Sequence, residues 1–215
     1  MQTIAVVDYG MGNLRSVVNA LEAVSEARAR VLLTSDPRQI RGADRVVFPG
    51  QGAAGDCMRA IDDYGLREAI LDAAGQRPFL GICMGLQVLI EYSEENRGTD
   101  CLAYLPGRVR YFGDDHRDAD GVRLKVPHMG WNRVRRTREH PLWRSINDGS
   151  RFYFVHSYYL DEPDGELVAA QTDYGFAFTS AIARDNLFAL QCHPEKSADA
   201  GLQLLRNFVA WNGQS

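Results

Sequence analysis

The stretch Phe79–Gln87, FLGICMGLQ, sets one cysteine, Cys83, between Gly81 and Gly85 in an otherwise apolar run. The residues before the cysteine have the short, uninterrupted hydrophobicity of a buried parallel strand. A strand that passes at once into a helix holds its turn residue at the tip of a strained bend, where side chains two positions to either side would collide. Glycines remove those side chains. With serine at the tip, this arrangement is a nucleophile elbow; here the tip is a thiol. The start of the following helix is expected to favour the thiolate, and the Met84 N–H to face a developing oxyanion. Without that backbone, Cys83 would read as a small buried hydrophobe.

Outward from the elbow, the N-terminal part alternates two textures. Thr3–Asp8, Ala29–Leu33, Arg45–Phe48 and Pro78–Ile82 are short apolar runs, and Leu14–Ala27, Ala53–Asp63 and Leu66–Ala74 carry helical patterns. In the first helix Val17, Leu21 and Val24 fall on one face, with Asn13 as the expected N-cap. Met84–Tyr92 is read as the next helix. Gly107–Phe112, Arg133–Val134, Phe152–Tyr158, Glu166–Gln171, Ala177–Arg184 and Leu187–Gln191 then read as strands of antiparallel texture, with Asp185-Asn186 as a hairpin turn. Asp114–Asp120 reads as a mobile polar loop, and Ala198–Trp211 as a closing helix capped by Ser197. The expected fold is one α/β domain over residues 1–215. It has an open, mostly parallel flavodoxin-like sheet flanked by helices, and an antiparallel, β-rich C-terminal half.

A net charge of −4 offers no electrostatic footprint for nucleic acid. The basic stretch Arg133–Arg138 is read as a solvated strand end. The chain enters directly into a strand-like segment, so no leader is read, and no apolar run is long enough for a membrane span. Cys57, Cys83, Cys101 and Cys192 form no CxxC pair and no zinc-ligand spacing, which suits free thiols in a reducing cytoplasm. No metal or cofactor is expected.

Three further motifs bear on chemistry. In DYGMGN (Asp8–Asn13), Gly10 and Gly12 fit the first two positions of a dinucleotide fingerprint, but Arg15 stands at the third. A tight functional loop is the better reading. HPE (His193–Glu195) follows an apolar strand, so its histidine stands at a strand's C-terminal end, where open α/β sheets build their sites. Glu195, two residues on, lies on the same side if the segment is extended and can fix the imidazole tautomer. Alone this is a turn; with Cys83 it completes a nucleophile, base and acid in that order. FPGQGA (Phe48–Ala53) is a strand end running into a glycine turn whose N–H groups can add to an oxyanion hole.

PGQG, GICMGLQ and HPEKS, in this order and spacing, resemble the class I, triad-type glutamine amidotransferases. DYGMGNL, HMGWN and FYFVHSYY narrow the resemblance to the glutaminase subunits of imidazole glycerol phosphate synthase, over essentially the whole chain. The resemblance implies that Cys83 attacks the glutamine carboxamide, that His193 serves as general base and acid, and that Glu195 orients it. It places the substrate against Gly50, Gln51, Gly52, Met84, Gln87, Glu95, Tyr153 and Ser157. The family's oxyanion loop usually carries an aliphatic residue and then His after its second glycine region, where this chain reads Pro49-Gly50-Gln51-Gly52-Ala53; since the role belongs to backbone N–H groups, Gln51 is expected to fill it. The resemblance also implies a heterodimer with a (βα)8-barrel cyclase. That partner receives the ammonia and forms imidazole glycerol phosphate and aminoimidazole carboxamide ribotide. Gly12, Asn13, His128, Trp131, Asn132 and Lys196 are the residues expected to face it.

Two other classes compete. A free-standing cysteine hydrolase on the same sheet has less use for Gln87 at the start of the elbow helix. A non-catalytic scaffold has no use for a complete triad.

Overall fold

The computed structural model describes residues 1–26, 28–161 and 164–214. Its elements are β1 (Gln2–Val7), α1 (Leu14–Ser25), β2 (Ala29–Thr34), α2 (Pro37–Gly42), β3 (Arg45–Gly50), α3 (Ala54–Asp63), α4 (Arg67–Gln76) and β4 (Phe79–Cys83). There follow α5 (Met84–Gln87), β5 (Ile90–Ser93), β6 (Thr99–Asp100), β7 (Leu105–Tyr111), β8 (His128–Arg133), β9 (Arg135–Arg136) and β10 (Arg151–His156). The chain closes with β11 (Tyr158–Asp161), β12 (Val168–Asp173), β13 (Ala177–Arg184), β14 (Leu187–Leu190) and α6 (Ala198–Ala210).

The main sheet runs β2-β1-β3-β4-β14-β13-β11-β7-β5-β6. Its first five strands are parallel, in the doubly wound order with β14 in fifth place, and from β13 onward the pairing is antiparallel except between β7 and β5. The parallel strands are apolar on both faces because both are covered. Ile4 and Val6 face Val17 and Leu21 of α1 and Leu205 and Phe208 of α6. Ala5 and Val7 alternate to the other side, toward Ile61 of α3 and Ile70 of α4. Each such fully buried Leu, Ile or Phe contributes about 1.5–3 kcal/mol. The expected mostly parallel sheet with an antiparallel C-terminal half is therefore found, including the two-residue turn at Asp185-Asn186, which pairs Arg184 with Leu187.

Local expectations differ in several places. The helix expected at Met84–Tyr92 lasts only to Gln87, and Ile90–Ser93 is a strand parallel to β7. Val88, Leu89 and Ile90 are fully buried, so their hydrophobicity suits either element; the open edge of β7 decides it. The single strand expected at Phe152–Tyr158 breaks at Ser157, so that β10 pairs with β8 in a separate ribbon while β11 joins the main sheet. HMGWN is itself a strand, ahead of the one expected at Arg133–Val134. β12 begins at Val168 behind a turn at Gly165–Leu167. α2 is additional to the expected pattern: Asp36 accepts from Arg38 N, and Pro37 opens the helix. Asn13 and Ser197 make no side-chain cap. The expected end of the first helix, Ala27, lies outside the described residues. The Asp114–Asp120 segment is closed by Asp118, whose carboxylate accepts from Asp120 N and Val122 N.

Candidate active site

The parallel register sets Gly50 beside Cys83 and Leu190 beside Ile82. The loop after β3, the cysteine ending β4 and the segment after β14 therefore leave the sheet on one edge. Cys83 holds φ 55° and ψ −109°, a strained backbone for a residue with a side chain, costing about 1–3 kcal/mol. The flanking glycines make the bend possible. A Cβ on Gly81 would stand 2.8 Å from Ala189 Cβ and 3.2 Å from the Gly85 carbonyl oxygen, and one on Gly85 would overlap the Phe48 carbonyl. Because α5 is one turn long, its aligned dipole is small. Stabilisation of a thiolate therefore falls to neighbouring side chains.

His193 is one of them. Its backbone N–H donates to Tyr153 O at 2.9 Å, and its Nδ1 lies 2.8 Å from Glu195 Oε1, both side chains being 2% exposed. The Ser197 hydroxyl donates to His193 O and accepts from Tyr153 N, closing this turn instead of capping α6. His193 Nε2 is buried without a hydrogen-bond partner of good geometry. Burial alone would lower the imidazole's pKa; the charge and hydrogen bonding of Cys83, then of Glu195, outweigh it and push the pKa up to about 10. Three of the other buried histidines behave oppositely. Burial pushes His128 and His140 down to about 4 and His156 down to about 3, leaving them neutral. Burial likewise pushes the Cys57 thiol up to about 12 and Cys101 to about 11, and raises Cys192 well above the ordinary range. Burial thus disfavours the thiolate at all three.

Cys83 and His193 open into a cavity of about 410 Å³. Gln51, Gly52, Met84, Gln87, Glu95 and Ser157 line it too, as expected, and so does Lys196 from the set expected to face a partner. Gln87 Oε1 is buried there with no partner. Glu95 also accepts from Ala54 N at 2.7 Å, fixing the start of α3; burial raises its pKa. Gly50 lies beneath the cavity, where a Cβ would overlap the Tyr9 hydroxyl. Tyr153 does not line it either: its carbonyl holds His193, and its ring meets Trp131 edge-on at 6.1 Å. A Cβ on Gly12 would stand 3.3 Å from Gln51 N, so the GMGN loop rests on the candidate oxyanion loop. Asn13 borders a narrow gap with Gly12, His193 and Glu195.

On the ribbon of β8 and β10, Met129 and Trp131 are 61% and 45% exposed. His128, expected to face a partner, is instead buried, stacked on Tyr174 at 4.0 Å and opposite His156 in the strand register. Asn132, half-buried, donates to Asp173 O. Gln191 was missed by the sequence reading. It is fully buried one residue before Cys192, and its Nε2 lies 3.6 Å from Cys83 Sγ. A lone glutamine ending an apolar strand was its only sequence signal. Among the described residues no group of three or more His, Cys, Asp or Glu is placed to hold a metal ion. No helix among them is long and apolar enough to cross a membrane.

Comparison with known proteins identifies the family. The glutamine amidotransferase class-I family model matches residues 5–211. The imidazole glycerol phosphate synthase subunit HisH of Nitrosococcus oceani is 56% identical over 215 residues, covering 100% of both chains. The subunit of the same name from Thiobacillus denitrificans is 60% identical over 210 residues, 97% of this chain and 91% of that one. A solved PurLQS structure from Thermotoga maritima shares the fold at 18% identity with a TM-score of 0.69, covering 98% and 99% of the two chains. The chain belongs to the class-I glutamine amidotransferase family, within the group of imidazole glycerol phosphate synthase HisH subunits.

Proposed function

We propose that Cys83, His193 and Glu195 form the triad of a glutaminase that supplies ammonia to a cyclase subunit in histidine biosynthesis. The observation that carries this reading is the backbone-strained Cys83 and a buried His193, tied by Nδ1 to Glu195, opening into one cavity. Cys83 Sγ attacks the carboxamide carbon of glutamine, and the Met84 N–H with the Gln51–Gly52 loop holds the oxyanion. The His193 imidazolium gives its proton to the departing ammonia, leaving a glutamyl thioester. His193 then takes a proton from water as it attacks the thioester, and glutamate leaves with the thiol restored. Glu195 keeps the Nδ1–H tautomer throughout. Gln87 Oε1, buried and unpartnered, is an acceptor ready for the substrate's ammonium.

The exposed Met129–Trp131 strand and Lys196 at the mouth form the face we assign to the cyclase, a (βα)8 barrel in a heterodimer. The free thiols suit a reducing cytoplasm. Ammonia release from glutamine, assayed on this chain alone and then with the cyclase and its nucleotide ligand, tests the reading. Near-silence alone, strong stimulation in the complex and complete loss in Cys83→Ala are expected. Glutamine-dependent release surviving Cys83→Ala would refute the mechanism, and equal rates with and without partner would refute the coupling.

A further inference from the structure

Two hydrogen-bonded runs behind the cavity meet at the Tyr158 carbonyl, which accepts from both. Asn132 Nδ2 donates to Asp173 O at 2.8 Å and reaches His128 Nε2 at 3.2 Å, making that nitrogen the acceptor. A neutral His128 then carries its proton on Nδ1, which lies 2.9 Å from His156 Nε2. His156 in turn carries its proton on Nδ1, 2.8 Å from Tyr158 O. The same carbonyl accepts from Gln87 Nε2 at 3.0 Å, so the Gln87 amide cannot be reversed without setting oxygen against oxygen. Its nitrogen also donates to Gln191 Oε1 at 2.9 Å. With that oxygen taken, Gln191 turns its N–H toward Cys83 Sγ, 3.6 Å away.

Gln191 is fully buried, and the pairing of Leu190 with Ile82 carries it alongside Cys83. A buried carboxamide costs stability unless its hydrogen bonds are made, and neither the triad nor substrate holding uses this one. We propose that Gln191 is a positioning residue for the nucleophile: its N–H, oriented by Gln87, stabilises the Cys83 thiolate. This rests on the glutaminase reading only for its effect on turnover, since the thiolate itself can be observed without substrate.

Gln191→Met keeps the shape and removes the donor. Iodoacetamide labelling of Cys83, followed by mass spectrometry across pH, reads the thiolate fraction directly. Losing one hydrogen bond to a charged sulfur is expected to slow labelling at neutral pH about tenfold, moving the midpoint up by about one unit with the alkaline plateau unchanged. In the partner-activated enzyme, kcat is expected to fall by a similar factor while KM changes less than about twofold. A labelling profile that coincides with the parent's overturns the proposal. If glutaminase activity is absent but the labelling shift is present, the positioning stands and the functional reading falls; activity without the shift does the reverse. Nitrogen-15 side-chain amide spectra of the unaltered protein give a second measurement that needs no variant. The Gln191 Nε2–H resonance is expected to shift as the Cys83 thiol titrates, and a resonance that stays in place across that titration overturns the proposal.

Discussion

Gly85 lies directly against Phe48: a Cβ added to Gly85 would overlap the Phe48 carbonyl oxygen, so the turn after the nucleophile is packed onto the neighbouring strand's backbone. A carbonyl in a paired strand cannot move aside as a side chain can. In Gly85→Ala either β3 or the elbow must shift, and the Cys83 bend is the softer of the two because it is already strained. Loss of about 2–4 kcal/mol in denaturant unfolding is expected, in the range of severe backbone and packing defects. Activity should fall further than stability, because a misplacement of the nucleophile by an ångström costs about a hundredfold. Gly85→Ala with parent stability and parent kcat would show that the close approach does not constrain the elbow.

Glu195→Gln tests the acid of the triad through pH. The folded-state pKa of His193 is raised to about 10, with Glu195 among the groups that raise it. The imidazolium needed to protonate ammonia is therefore present at neutral pH and is lost as pH rises through that value. In the variant the charge is gone, so the alkaline limb of kcat/KM should move to lower pH, and kcat/KM at neutral pH should fall at least about a hundredfold. An alkaline limb that stays in place in Glu195→Gln would remove Glu195 from the role of orienting His193.

What the sequence made legible follows from how local each feature is. The elbow could be read because its cause lies within five residues: Gly81 and Gly85 matter to Cys83 across one turn. The His193–Glu195 pair could be read for the same reason, being two residues apart. His128 could not. Its exposure depends on which residue of β10 lies opposite, and the register sets it against His156, 28 positions along the sequence. With HMGWN read as a partner-facing segment rather than a strand, alternation would still have sent its residues to opposite sides, Met129 and Trp131 outward and His128 inward. Gln191 was invisible for a stronger reason, since its partners Gln87 and Cys83 are 104 and 108 residues away in sequence. The Met84–Tyr92 segment failed because hydrophobicity alone cannot separate a buried helix from a buried strand when a sheet edge waits for it.

Trp131 offers a test of the proposed docking face. It stands 45% exposed on β8 and touches only Tyr153 among the aromatic rings around it, so truncation removes little internal packing. Trp131→Ala is expected to leave the melting temperature within about 2 °C of the parent's, as exposed positions do. Affinity for the cyclase should weaken about 10–100-fold if Trp131 is an interfacial anchor. Titration calorimetry with the cyclase checks this, and unchanged affinity would move the docking face elsewhere.

Acid sensitivity should begin above the carboxylate range. The folded pKa values of His128 and His140 lie at about 4 and that of His156 at about 3, against an ordinary value of 6.5, and burial is the first cause in each. Their stability contribution is thus fully present above pH 6.5. It is lost as pH falls toward the folded values, because the unfolded chain takes up protons that the buried rings refuse. Each unit of separation is worth about 1.4 kcal/mol. The melting temperature should therefore fall steadily from about pH 6.5 downward, where unfolded carboxylates are still ionised. His140 isolates one share of this slope. It sits between Phe188 and Trp211, and its Nδ1 accepts from Leu142 N. His140→Asn keeps an acceptor for that N–H and cannot titrate. It should melt lower than the parent at pH 7, from lost ring packing, yet lose less on going to pH 5. Parallel melting curves for the two proteins across that range would mean that His140 is not buried neutral.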